Sequence, residues 1–103
     1  MTTPNGRVYR VILSAQVQAK LKELHRRARD KGYGAQVLSA VKRIVAALRT
    51  EPLQFGEPRF TLQHLSLEVR VGTVPPLLVT YGIHKERCIV FIRDILPLPG
   101  SDF

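Results

Sequence analysis

Cysteine is nearly absent from this chain of 103 residues, which contains only Cys88. A single cysteine excludes a disulfide within the chain and any zinc site built from several cysteines. Long apolar runs are absent too, because the longest, IVAAL and CIVFI, have five residues each. A membrane span needs roughly 20. The first ten residues lack the apolar core of a signal peptide, and we therefore expect a cytoplasmic protein with no membrane partner.

Acidic residues are scarce in the first half of the chain. Residues 1–50 contain eleven Lys or Arg against two Asp or Glu, a net charge of +9. Residues 51–103 contain five against six. This asymmetry predicts one strongly positive surface, which suits nucleic acid, the ribosome or an acidic protein. The alternative is a solvated helical surface that is basic without having a partner.

The hydrophobic period divides the chain into a strand, two helices and three further strands. Residues 7–14 alternate as a strand does, and Ser14 can cap the helix that follows. Apolar residues at helical spacing then define two amphipathic helices, separated by DKGYG and ended by Pro52. After a connector at 53–63, strands are predicted at 65–71, 77–83 and 88–95.

This order predicts an α+β, two-layer fold in which a helical hairpin packs on one face of a mainly antiparallel sheet, formed by the first strand and a three-strand meander. We expect a single domain over 1–103, with a core at 7–96 and a proline-rich tail at 97–103. The outer face of the first helix is basic. Its candidate phosphate ligands are Lys20, Arg26, Arg27 and Lys31.

The stretch LQFGEPRFTLQHLSLEVRVG leads from the second helix into an Arg-Val-Gly strand, Arg70–Gly72, and LLVTY and CIVFI follow. This order, in about 100 residues with a basic hairpin, resembles the RelE/ParE superfamily of type II toxin–antitoxin toxins. The resemblance implies one of two activities. RelE-like members cut mRNA on the ribosome, whereas ParE-like members poison DNA gyrase. Both are neutralised by a cognate antitoxin.

The resemblance makes Arg70 the leading catalytic candidate, with Arg93 as a weaker one. Cleavage through the 2′-hydroxyl of RNA needs a base, an acid and cations on the phosphate, but no metal and no cofactor. Alternation places Arg70 on the polar face of its strand, which we expect to point away from the helices. The alternative is a surface ion pair between Arg70 and Glu68.

Three further residues complete the candidate site. His84, in the predicted turn HKER, offers an imidazole suited to acid–base chemistry. Glu68 could accept a proton in its place if Arg70 were engaged elsewhere. Arg59 is the one cation of the connector and a further candidate for phosphate binding.

Three functions follow from these patterns. The first is a RelE-like mRNA interferase, a metal-independent endoribonuclease acting on ribosome-bound mRNA. The second is a non-catalytic binder on the same fold, either a gyrase inhibitor or a degenerate toxin that binds only ribosome or antitoxin. The missing second arginine between Gly72 and Tyr81, and the missing Tyr or His near the end, favour the second. The third is an unrelated nucleic-acid-binding domain, for which the sequence indicates no aromatic stacking face.

Overall fold

A computed structural model describes residues 8–101 and 103 of the chain. As predicted, the fold is α+β, with a helical hairpin packed on one face of a five-stranded mixed sheet. Arg7, where the predicted first strand begins, lies outside the described residues. The elements are β1 (Arg10–Leu13), α1 (Ala15–Asp30), α2 (Gly34–Thr50), α3 (Pro52–Phe55), β2 (Glu57–Leu62), a 3-10 turn (Gln63–Leu65), β3 (Leu67–Val74), β4 (Leu77–His84) and β5 (Ile89–Pro97).

The strand order is β1-β5-β4-β3-β2, with β1 parallel to β5 and every other pair antiparallel. The prediction of a connector is wrong over Glu57–Leu62, which form the edge strand β2 against β3. Pro58 removes a backbone donor, and the pairing is irregular between Pro58 and Phe60. A proline and a register shift hide the alternation that identifies a strand, and both are tolerated at a sheet edge.

Capping residues fix the two ends of α1. The Ser14 hydroxyl accepts a hydrogen bond from the Val17 backbone N–H at 3.1 Å, as the sequence predicts. At the other end, Gly32 has a φ of +86°, which favours glycine. The Gly32 N–H donates to the Arg29 carbonyl at 3.0 Å, and the Tyr33 N–H donates to the Ala28 carbonyl at 2.7 Å. These two bonds form a Schellman motif, which reverses the chain and sets Tyr33 at the tip of the hairpin.

The hydrophobic core lies between the helical hairpin and one face of the sheet. The helices contribute Val17, Leu24, Val37, Ile44 and Leu48, and the sheet contributes Leu77, Val79, Tyr81, Ile83, Val90 and Ile92. Tyr81 alternates with Leu77, Val79 and Ile83 along β4 and is buried together with them. No helix among the described residues is both long and apolar enough to cross a membrane.

The opposite face of the sheet is apolar as well. One row crosses all five strands through direct pairing, and consists of Phe60, Val69, Gly82, Phe91 and Ile12. Paired residues on neighbouring strands share a face, so this row belongs to the side away from the helices. Phe60 is 53% exposed, whereas Val69 is only 1% exposed beneath its neighbours.

Candidate functional site

Arg70 lies on the helix side of the sheet, so the prediction that it points away from the helices is wrong. It is paired directly with Tyr81, whose side chain is fully buried in the core. The prediction failed because it assigned the apolar residues of β3 to the helix side. At this point the sheet is covered by the backbone of the short helix α3, and backbone carbonyls need polar partners.

The side chains of Arg70 and Tyr81 bind the backbone of Pro52 and Gly56 at the end of α3. We call these four residues the Gly56 clamp. The Arg70 guanidinium donates to the Gly56 carbonyl through Nε at 3.1 Å and through Nη2 at 2.6 Å. The Tyr81 hydroxyl donates to the Pro52 carbonyl at 2.8 Å and accepts from the Gly56 N–H at 2.9 Å. The hydroxyl therefore bridges the two groups that one further helical hydrogen bond would join, and α3 ends there.

Two glycines make this arrangement possible by allowing close approach. A Cβ at Gly56 would lie 2.8 Å from both the Tyr81 hydroxyl and the Val71 carbonyl oxygen. A Cβ at Gly72 would lie 2.5 Å from the Phe55 ring. That ring also stacks on Tyr81, with centroids 5.9 Å apart. The Arg-Val-Gly spacing thus places Arg70 beneath the Gly56 carbonyl and leaves room for Phe55 at Gly72, on the same face of β3.

Glu68 extends the clamp through two ion pairs. Its carboxylate accepts a hydrogen bond from Arg70 Nη1 at 2.8 Å and lies 3.4 Å from Lys85 Nζ. The ion pair considered as the alternative role for Arg70 is therefore formed, with side chains only 11% exposed for Arg70 and 21% for Glu68. Burial acts to raise the pKa of Glu68, but the hydrogen bond from Arg70 and the positive charges of Lys85 and Arg70 outweigh it, so the pKa is lowered.

The pKa of Tyr81 shifts in the opposite direction. Burial raises the pKa of this hydroxyl, and the hydrogen bond from Gly56 and the positive charge of Arg70 only partly oppose the effect. Tyr81 therefore stays protonated and able to donate to Pro52. This protonation suits a structural hydroxyl rather than a base in catalysis.

A cavity of about 220 Å³ opens beside Glu68, where β4 ends. It is lined by Thr61, Ser66, Glu68, Ile83, His84, Lys85 and Glu86. His84 lies at the end of β4 rather than in the turn, and its Nδ1 accepts a hydrogen bond from the Arg87 N–H at 3.3 Å. The structure therefore brings His84 and Glu68 to one cavity, with Arg70 bound to Glu68. Lys85 and Ser66 also line the cavity; no local pattern in the sequence indicates this, because the pairing of β3 with β4 brings them there.

Arg93 does not join this group. It is exposed at an irregularity of β5, where Tyr81 pairs with Ile92 and Thr80 pairs with Asp94. It follows Ile89, the partner of His84, by four residues. That separation corresponds to roughly 13 Å along a strand. Arg59 is exposed on the edge strand β2.

The predicted phosphate ligands of α1 fall into two groups. Lys20 forms an ion pair with Asp94 at 2.6 Å, and Arg26 forms ion pairs with Glu23 and Asp30. Seven other cations of the hairpin are exposed and have no ion-pair partner within residues 8–101 and 103. We call these seven the hairpin cations, and they are Lys22, Arg27, Arg29, Lys31, Lys42, Arg43 and Arg49.

Within the described part of the chain, no group of three or more His, Cys, Asp or Glu side chains could hold a metal ion. Comparison with known proteins finds no family model and no curated protein that matches the chain. The resemblance to RelE/ParE toxins therefore stays a hypothesis based on order, length and charge.

Proposed function

We propose that this protein is a cytoplasmic, non-catalytic RNA-binding protein of the RelE/ParE type, which attaches to the ribosome through its helical hairpin. The observation that carries the proposal is the set of seven hairpin cations, exposed and unpaired among the described residues. Exposed Lys and Arg bind the phosphates of RNA and release the counterions that surround them. The net charge of +9 on residues 1–50 adds long-range attraction for the same partner.

The state of Arg70 supports binding over catalysis. A catalytic arginine would present its fork to a phosphate of the substrate. Here three hydrogen bonds of the guanidinium go to Gly56 and Glu68, and 11% of the side chain is exposed. Binding a phosphate would require those bonds to break and would leave the Gly56 carbonyl without its partner, at a cost of about 1–3 kcal/mol.

Replacing three hairpin cations tests the proposal. The triple variant Lys22→Gln, Arg27→Gln, Arg29→Gln is expected to bind a labelled single-stranded RNA of 12 nucleotides about 10- to 30-fold more weakly at 0.1 M salt. The reason is that binding releases fewer counterions from the RNA when three phosphate contacts are lost. The slope of log K against log salt should fall by about 2, at roughly 0.7 per lost phosphate contact. Fluorescence anisotropy over a salt series measures both quantities.

A charge-matched control separates a specific surface from net charge. Arg59, Arg87 and Arg93 are exposed cations of the sheet half, and their triple replacement by Gln removes the same charge. We expect that control to change RNA affinity by less than about 3-fold. Equal losses of RNA affinity in the two triple variants would show that binding depends only on the total charge of the protein. The hairpin would then not be the RNA-binding surface.

RNA cleavage is the second candidate function, favoured by the cavity that brings together His84, Glu68 and Lys85. In such a reaction Glu68 would accept the 2′ proton, Lys85 would stabilise charge on the phosphate, and His84 would protonate the leaving 5′ oxygen. The lowered pKa of Glu68 makes its carboxylate a weaker base, which is why we place this candidate second.

Expression under tight induction distinguishes the two functions. We expect no new mRNA 5′ ends on translating ribosomes when the chain is induced, because Arg70 is held by Gly56 and Glu68 and the Glu68 carboxylate is a weakened base. Mapping of mRNA 5′ ends measures this, and a gyrase supercoiling assay in the same cells tests the gyrase alternative. Codon-phased cuts that disappear in the His84→Gln variant would instead establish cleavage at the cavity.

A further inference from the structure

An aromatic pair lies at the tip of the hairpin, beside the cations at the end of α1. The rings of Tyr33 and Phe103 have centroids 6.0 Å apart and planes inclined at 37°. The sequence places these residues 70 positions apart, and for that reason its pattern indicated no aromatic stacking face. The Schellman motif that ends α1 fixes the backbone of Tyr33, so Tyr33 supports one side of the Phe103 ring.

The Phe103 ring is partly buried against the core and also borders an open cavity of about 360 Å³. The remaining lining residues belong to the last turn of α1 and its cap, and they are Arg26, Arg27, Asp30 and Lys31. This volume lies in the lower part of the range found for small-ligand sites, about 300–1,000 Å³. The cavity therefore has room for one nucleotide beside the ring, rather than for a larger ligand.

The charges in the cavity favour a nucleotide over an acidic peptide. Arg27 and Lys31 have no ion-pair partner within the described residues, so both can hold phosphate oxygens. Asp30 binds Arg26 through one carboxylate oxygen at 3.1 Å. Its carboxylate can accept hydrogen bonds from the amino groups of a base, which are donors that acidic side chains do not offer.

We propose that Phe103 is a stacking platform for one unpaired base of single-stranded RNA, with the flanking phosphates held by Arg27 and Lys31. This inference rests on the RNA-binding function proposed above and assigns it a ligand class. A flat aromatic surface beside a basic groove is the combination that single-strand binders use, and stacking on it contributes about 1–3 kcal/mol per base. Tyr33 is a positioning residue, because its ring contacts the platform.

Because the chain contains no tryptophan, the fluorescence of a tryptophan introduced at position 103 reports on that site alone. The Phe103→Trp variant is titrated with a six-nucleotide RNA and with an abasic sugar-phosphate oligomer of the same length, while anisotropy of each labelled oligomer follows binding. We expect the RNA to quench the indole emission and the abasic oligomer to leave it unchanged. The matched control is Phe60→Trp, on the opposite face of the sheet and 53% exposed, which should not respond.

A second pair of variants separates stacking from charge. Phe103→Leu keeps an apolar side chain but removes the ring, and should lower RNA affinity about 10-fold, corresponding to the stacking of one base, without changing affinity for the abasic oligomer. The double variant Arg27→Gln, Lys31→Gln should weaken both oligomers equally. RNA binding without quenching, and without loss in Phe103→Leu, would overturn the platform and leave the hairpin function intact. Absence of RNA binding by the unmodified chain would overturn both.

Discussion

Replacing Tyr81 with Phe is expected to lower the free energy of unfolding by about 3 kcal/mol. The hydroxyl donates to the Pro52 carbonyl and accepts from the Gly56 N–H, and both backbone residues are buried. Its removal leaves a buried donor and a buried acceptor without partners, each costing about 1–3 kcal/mol. Urea denaturation followed by circular dichroism measures the change.

A tyrosine at the surface provides the matched control. Tyr33 is 37% exposed, so solvent can satisfy the groups near its hydroxyl, and Tyr33→Phe should change stability by less than about 0.5 kcal/mol. In a domain of this size a loss of 3 kcal/mol lowers the melting temperature by on the order of 15 °C. A Tyr81→Phe variant as stable as Tyr33→Phe would mean that the bridge between Gly56 and Pro52 adds nothing to the fold.

The helices and the central strands could be predicted because their apolar periods are regular. Val17, Leu24 and Ala28 lie on one face of α1 and are all buried, as the spacing requires. Leu77, Val79, Tyr81 and Ile83 alternate in β4 and are buried together. In both elements, local sequence and burial agree, and a pattern that repeats over several turns or residue pairs tolerates an occasional exception.

Prediction failed where one strand had two suitable faces. In β3 the alternation separates Val69 and Val71 from Glu68 and Arg70, and it cannot indicate which set meets the helices. The answer depends on α3, a helix of four residues whose backbone requires polar partners beneath it. A hydrophobic pattern carries no information about a carbonyl group contributed by another segment, and Arg70 was therefore assigned to the wrong face.

The Tyr33–Phe103 pair was missed for a different reason. Each residue has an ordinary local role, one after a glycine turn and the other in a proline-rich tail. Their juxtaposition depends on the direction in which the chain leaves β5 relative to the tip of the hairpin. Such a long-range contact between single residues leaves no period in the sequence, whereas the basic charge of α1 is local and could be read directly.

Arg70 provides the second large effect, because it is the residue for which structural and catalytic roles predict different results. Arg70→Met keeps the aliphatic stem but removes the donors to the Gly56 carbonyl and to Glu68. Glu68 then retains only the ion pair with Lys85 among those described for it. We expect a loss of about 2–3 kcal/mol in unfolding free energy, because a partly buried carbonyl and a partly buried carboxylate lose their main partner. Thermal and urea denaturation at neutral pH measure it.

The pH dependence of stability identifies the interaction that is lost. Since the folded-state pKa of Glu68 lies below its ordinary value of 4.5, its contribution is complete above that value and disappears as pH falls through the folded-state pKa. Arg70→Met and Glu68→Gln should both reduce this acid-side loss relative to the unmodified chain. RNA affinity of folded Arg70→Met should stay within about 2-fold, because the hairpin cations are untouched. Unchanged stability combined with loss of RNA binding or RNA cleavage would instead make Arg70 a residue of the functional site. The hydrogen bonds in the Gly56 clamp would then not be the reason for an arginine at this position.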